Sequence, residues 1–194
     1  MRTRRYSLGL ALLALVILPL SAAQQAIILV RHAEKIADDM NGRDVPLSKA
    51  GLDRARLLAE MLRDSGITAI YASDAVRTRS TALPLAKELR LSIKSLDQHD
   101  PQGAVRRLRT ENANDVVLIV GHSDTLPGLL DALGYRREVR IHSNDYSNLL
   151  VVIPRVGKPP AVIRVAFGEG EGPQSARRES PPAPPSKSAL PGGP

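Results

Sequence analysis

Four side chains in this chain have the types and settings for chemistry: the adjacent pair Arg31-His32, then Arg77, then His122. A neutral imidazole carries a lone pair near pH 7, so histidine can act as a nucleophile. The planar fork of arginine matches phosphate oxygens and keeps its charge at any working pH. A histidine that attacks phosphorus forms phosphohistidine, which water then cleaves. Positioned cations stabilise the charge on the transferring group throughout. Arg31, Arg77 and His122 could supply that stabilisation without a metal. An isolated Arg-His pair proves little, so the question is whether the chain brings the four together.

The elements that must position them follow from the apolar runs. Residues 26–30 (Ala-Ile-Ile-Leu-Val) form a continuous apolar stretch, the pattern of a fully buried strand. Ser48 is placed to cap a helix running to Arg63, with Leu52, Ala55, Leu58, Ala59 and Leu62 on one face and Gly66 to end it. Residues 67–71 read as a second buried strand, and Asp74 as the cap of a helix towards Arg90. Pro84 lies inside that helix and predicts a kink or break. A short strand at 92–96 and a helix around 104–110 follow. Residues 116–120 form the most apolar strand. Residues 124–133 read as a helix with Pro127 in its first turn and Gly134 at its end. Residues 149–153 and 161–167 look like a closing strand pair.

Apolar strands alternating with helices predict an α/β fold: a three-layer α/β/α sandwich with a mostly parallel central sheet. Ligands bind such sheets at the carboxyl ends of the strands. Arg31-His32 follows the first strand, Arg77 follows the second, and His122 follows the strand at 116–120. Three strand ends thus deliver two arginines and two histidines to one edge. The helix after His122 adds free N–H groups that favour an anion.

These residues carry a resemblance. Arg31-His32 after the first strand, Leu47-Ser48-Lys49-Ala50-Gly51 as helix opener, Tyr71 to Ala82 around Arg77, and Gly121-His122-Ser123 together resemble the histidine phosphatase (phosphoglycerate mutase-like) superfamily. The resemblance covers about residues 26–165. It implies that His32 is phosphorylated and that Arg31, Arg77 and His122, with Ser123 beside them, form the phosphate pocket. Without large insertions over the site, the domain is similar to the compact branch that includes phosphohistidine phosphatases such as SixA. Two departures stand out. Ala33 replaces the glycine usual after the histidine. The stretch 91–101, where many members carry a proton-donating glutamate, holds none. Asp97, His99 and Asp100 are there instead, each a candidate acid and each also an ordinary loop residue. Glu34 is expected to pair with a neighbouring base or orient the loop.

The whole chain sets further bounds. It has 194 residues, 43% hydrophobic, enough for one domain and a tail. Arg2, Arg4 and Arg5 precede the apolar run 8–20 and the small residues Ser21-Ala22-Ala23, the order of a secretory signal. The expected division is a signal peptide at 1–23, a phosphatase-like domain at 24–167 and a disordered Pro/Gly-rich tail at 168–194. Removing the signal takes three arginines from a formal +7 and leaves +4, which demands no nucleic-acid partner. Aromatic residues at 3% offer no base-stacking platform. With no cysteine, thiolate metal sites, disulfides and cysteine nucleophiles are excluded.

The remaining polar residues have plain readings. His142, Asn144, Asp145 and Tyr146 read as a turn, with contact to substrate as the alternative. Asp124 reads as a helix-start residue. Arg106, Arg107 and Arg109 read as a solvated face. The sequence therefore points to an exported, periplasmic or secreted, phosphate monoesterase needing no cofactor. The partner is a phosphorylated small molecule or an envelope phosphate, with membrane contact only through an uncleaved signal segment. A phosphoprotein phosphatase and a non-catalytic phosphate-binding module are the alternatives.

Overall fold

The structure, a computed structural model, describes residues 26–36 and 45–168. The signal segment expected at 1–23 lies outside the described residues, as does the tail expected at 168–194 beyond its first residue. The elements run β1 (Ala26–Arg31), α1 (Lys49–Leu62), β2 (Ile67–Ala72), α2 (Val76–Leu89), β3 (Ile93–Ser95), α3 (Pro101–Glu111), β4 (Val116–Gly121), α4 (Leu126–Ala132), β5 (Asn148–Arg155) and β6 (Lys158–Ala166).

This is an α/β fold on one six-stranded mixed sheet, in the order β3-β2-β4-β1-β5-β6. β3, β2, β4 and β1 pair in parallel. β5 pairs antiparallel with β1, and β6 antiparallel with β5, so the closing pair is a hairpin on the β1 side. Side-chain alternation splits the buried residues into two sets. Ile27, Leu29, Tyr71, Val117 and Ile119 pack with Val105 and Leu108 of α3 and Leu126, Leu129 and Leu130 of α4. Ile28, Val30, Ile70, Leu118 and Val120 pack with Leu58 and Leu62 of α1 and Ala82 and Leu85 of α2. Burial of a large aliphatic side chain contributes about 1.5–3 kcal/mol, so these two sets hold the sheet flat against its helices.

Local chemistry explains most element ends. Ser48 caps α1 by accepting the Gly51 N–H at 3.1 Å. Asp100 caps α3 by accepting the Gly103 N–H at 2.8 Å, with Pro101 at the first position. Gly134, at φ +96°, takes a conformation past α4 that a side chain rarely adopts.

Four expectations need correction. Leu52 is 45% exposed; the buried stripe of α1 begins instead with Gly51. Asp74 does not cap α2, whose N-cap is Ala75 with no side-chain bond; its carboxylate accepts the Ser95 hydroxyl at 2.7 Å and ties β2 to β3. Pro84 does not break α2, which runs through it. The lost hydrogen bond is outweighed by the buried stripe of Thr78, Thr81, Ala82, Leu85 and Ala86. Finally, α4 starts at Leu126, so His122 to Thr125 form a turn rather than a helix start.

Candidate active site

Parallel pairing of β1 with β4 sets Arg31 opposite Gly121, which places His32 beside His122. The His32 N–H donates to the Gly121 carbonyl at 2.9 Å, extending the ladder by one bond. The two imidazoles meet edge to face with centroids 5.2 Å apart. A Cβ added at Gly121 would lie 2.8 Å from the Leu126 side chain, which would have to shift.

His32 is 4% exposed, and its Nδ1 lies 2.7 Å from the Ala33 carbonyl oxygen. A carbonyl only accepts, so Nδ1 carries the proton and Nε2 keeps its lone pair. Burial pushes the pKa of His32 down to about 4, against the raising effect of that bond and with help from Arg31, His122 and Arg77. The ring is neutral at pH 7. Ala33 is itself fully buried, and its N–H donates to the Thr81 hydroxyl at 2.9 Å. Thr81 passes the bond to the Arg77 carbonyl at 2.8 Å, joining the first strand end to α2.

His122 has the opposite tautomer. Arg77 Nη2 donates towards its Nδ1 at 3.4 Å, so the proton sits on Nε2 and is donated to Ser73 Oγ at 3.0 Å. Ser73 then donates to Thr78 Oγ1 at 2.8 Å, and Thr78 to the Ala75 carbonyl at 2.7 Å. Burial, then Arg77, pushes the pKa of His122 down to about 4, while Asp124 acts in the other direction.

Arg31 is 6% exposed and has no carboxylate partner among the described residues. Nη1 donates to the carbonyls of His142 at 2.9 Å and Asp145 at 3.2 Å. Its guanidinium lies 4.1 Å from the centroid of the Tyr146 ring. Nε is buried without a partner. Burial lowers the arginine pKa and Tyr146 and Asp145 oppose that, so the cation persists. Among the described residues this buried cation is held by carbonyl dipoles and by Tyr146, with Asp145 acting from a distance and no carboxylate bonded to it, which leaves it able to take an anion. The turn below it is stiffened by the Asp145 carboxylate, which accepts from Ser147 N–H and Oγ and from Asn148 Nδ2.

Each residue anticipated from the sequence can now be placed. Arg31, His32, Arg77 and His122 converge, and His32, Arg77, His122 and Ser123 line an open cleft of about 910 Å³. Asp97, His99 and Asp124 line it further out. Asp100 does not; it is the α3 cap and lies 3.7 Å from Arg106. Glu34 pairs with Arg54 through both carboxylate oxygens at 2.7–2.9 Å, and Arg54 also reaches the Phe167 carbonyl at 2.8 Å. Burial raises the Glu34 pKa, but the Arg54 bonds outweigh it and leave the carboxyl below its usual range. Tyr146, Thr81 and Ser73 were not anticipated in these roles. Among the described residues no group of three or more acidic or histidine side chains is arranged to hold a metal ion.

Residues 27–99, which hold Arg31, His32 and Arg77, match the histidine phosphatase superfamily (branch 1). A 68-residue stretch is 44% identical to the mouse ubiquitin-associated and SH3 domain-containing protein A; it is 34% of this chain and spans 11% of the mouse protein. The fold is that of several solved phosphatases. The protein histidine phosphatase SixA complexed with tungstate superposes at TM-score 0.61 with 19% identity, over 73% of this chain and 97% of that one. The SixA protein of Agrobacterium tumefaciens gives 0.58 and 21%, over 74% and 99%. Mycobacterial glucosyl-3-phosphoglycerate phosphatase gives 0.58 and 15%, over 74% and 98%.

Proposed function

We propose that this chain is an exported phosphatase that hydrolyses phosphate monoesters through a phosphohistidine on His32, without a metal. The observation that carries the reading is the bond from His32 Nδ1–H to the Ala33 carbonyl at 2.7 Å, which fixes a neutral ring with its Nε2 lone pair free.

In the first half-reaction Nε2 attacks phosphorus, the P–N bond forms, and the ester P–O bond breaks. In the second, water attacks phosphorus, the P–N bond breaks, and phosphate leaves. The buried Arg31 and the cleft-lining Arg77 oppose the phosphoryl charge in both steps, with the Ser123 hydroxyl at the same edge. Holding both imidazoles neutral keeps the nucleophile active near pH 7 and leaves the two arginines as the fixed charges.

The site opens into a broad cleft rather than a closed chamber, which suits a substrate whose phosphate projects from a larger body. Export rests on the order of basic, apolar and small residues in 1–23. The reading is tested by turnover of 4-nitrophenyl phosphate, with and without chelator, beside His32→Ala. Turnover abolished by His32→Ala and indifferent to chelator is expected. Turnover that survives the substitution defeats the mechanism, and phosphate binding without turnover by the intact protein assigns a non-catalytic module.

A further inference from the structure

A phosphate held at the floor of the cleft leaves open the chemistry of the body that carries it. The cleft has a cationic floor and an acidic wall. Arg31 and Arg77 are the fixed charges of the floor, with His32 and His122 neutral beside them. A phosphate monoester brings about −1.5 to −2 charges at pH 7, so one bound phosphoryl group nearly cancels the two arginines. The wall then stands unmatched. Asp74, Asp97 and Asp124 are exposed along it, and His99 is its only other ionisable side chain. Apart from Arg77, no lysine or arginine among the described residues lines the cleft.

Two of these carboxylates have no cation of their own. Among the described residues Asp97 accepts only the His99 N–H, at 2.8 Å, and Asp124 makes no hydrogen bond or ion pair. Asp74 differs: it accepts the Ser95 hydroxyl at 2.7 Å and lies 3.9 Å from Arg79. Asp97 and Asp124 also stand on one piece of structure. Gln98 Oε1 accepts the Thr125 hydroxyl at 2.6 Å, so the turn after β3 is bonded to the turn after β4. Thr125 Oγ1 accepts the His122 N–H at 3.2 Å, which ties this wall to the floor. Like charges fixed on adjoining turns repel, and no described cation relieves them. Their field reaches the floor: burial and Arg77 lower the His122 pKa, and Asp124 opposes them.

The wall does not fit a divalent metal, because among the described residues no three acidic or histidine side chains are arranged to hold one. An ammonium group needs no such convergence. It is a compact point charge that gains from any carboxylate within a few ångströms. A second anion on the substrate meets the same wall with nothing to offset it. The other end of the ligand is fixed by His32, which lines the cleft at 4% exposure with Nδ1 bonded and Nε2 without an internal partner.

We propose that the substrate is a phosphate monoester whose body carries a protonated amine, its phosphate on Arg31 and Arg77 and its ammonium group on the wall of Asp97 and Asp124. This specificity rests on the floor being a phosphate site.

The test measures binding rather than turnover. Three phosphonates share a three-carbon chain and differ at its end: 3-aminopropylphosphonate ends in ammonium, butylphosphonate in methyl and 4-phosphonobutyrate in carboxylate. Their dissociation constants for the full chain are measured by calorimetry at low salt. The amine is expected to bind about 10-fold tighter than the methyl compound and the carboxylate about 10-fold weaker, both gaps narrowing in about 0.5 M salt. In the double variant Asp97→Asn with Asp124→Asn the gap between amine and methyl is expected to shrink to about 3-fold or less. Inorganic phosphate is expected to bind that variant at least as tightly as the parent, which reports an intact floor and fold. Equal binding of the amine and methyl compounds by the parent overturns the proposal, as does an amine preference that the double variant keeps in full. The two readings fail separately. Nitrophenyl phosphate turnover that survives His32→Ala defeats the phosphohistidine and leaves the amine preference in place. Failure of the parent to bind inorganic phosphate removes the floor, and this proposal with it.

Discussion

The imidazole of His32 is held by the carbonyl of the next residue, Ala33, at 2.7 Å, and among the described residues no carboxylate touches it. A carboxylate there would stabilise the imidazolium and raise the pKa. A carbonyl orients the ring without a full charge, so burial prevails and the ring stays neutral to about pH 4. On the proposed mechanism the nucleophile is thus prepared by its backbone.

On the proposed mechanism His32→Ala removes the attacking nitrogen and is expected to lower kcat by at least about 10³-fold. Acid-labile phosphate on the intact protein, quenched in alkali during turnover and seen by 31P NMR, checks this. The same signal in His32→Ala would sink it.

The pH dependence follows from the two lowered histidines. Both fall from 6.5 to about 4 in the folded state, so the unfolded chain binds more protons between those values. Stability is therefore complete above about pH 6.5, declines as pH falls towards 4, and flattens below. The drop is of order 3 kcal/mol for His32 and less for the more accessible His122. Urea melts in phosphate-free buffer from pH 7.5 to 4 should show that slope. His32→Gln should reduce it.

Tyr146→Ala takes away the face against which Arg31 is stacked at 4.1 Å. The cation then loses roughly 1–2 kcal/mol of orientation, and KM for a phosphate ester should rise about 5- to 30-fold with a smaller change in kcat. Tyr146→Phe keeps the ring and should recover most of the loss. Steady-state kinetics distinguish the two.

Gly51→Ala tests the packing of α1 on the segment after β1. Its Cβ would lie 2.1 Å from the Glu34 backbone oxygen, which the Ser48 N–H already holds at 2.9 Å. Neither neighbour is a flexible side-chain tip, so more than about 2 kcal/mol of stability should be lost. A thermal melt within 1–2 °C of the parent, by an estimate that takes several degrees per kcal/mol, would contradict that contact.

Much of the site is legible in sequence because its determinants are side chains at strand ends. Apolar runs gave away β1, β2 and β4, and the carboxyl-end rule then gathered Arg31, His32, Arg77 and His122. Ser48 and Gly134 mark helix ends through chemistry confined to a few residues. Leu52 was misplaced because its neighbour Gly51, with no side chain, is the residue pressed against Glu34. A hydropathy stripe does not register a buried glycine. Asp74 has the right type and place for a cap, yet a hydroxyl on another strand took its oxygen. The grip on Arg31 was invisible for a different reason: its acceptors are backbone carbonyls, which every residue carries.

That grip also sets an order of events. Arg31 is among the first residues of the domain, and its acceptors at His142 and Asp145 lie 111 and 114 residues further along the chain. A chain emerging from its N-terminus completes β1, β2 and β4, with His32, Arg77 and His122, before the turn that anchors Arg31 exists. Until β5 docks beside β1, the nucleophile has a binding partner whose aim is not yet fixed. On the proposed function, competence for phosphoryl transfer is expected to arrive late in synthesis, with the last strand pair, and to be missing from a fragment ending at residue 99, where the superfamily match ends.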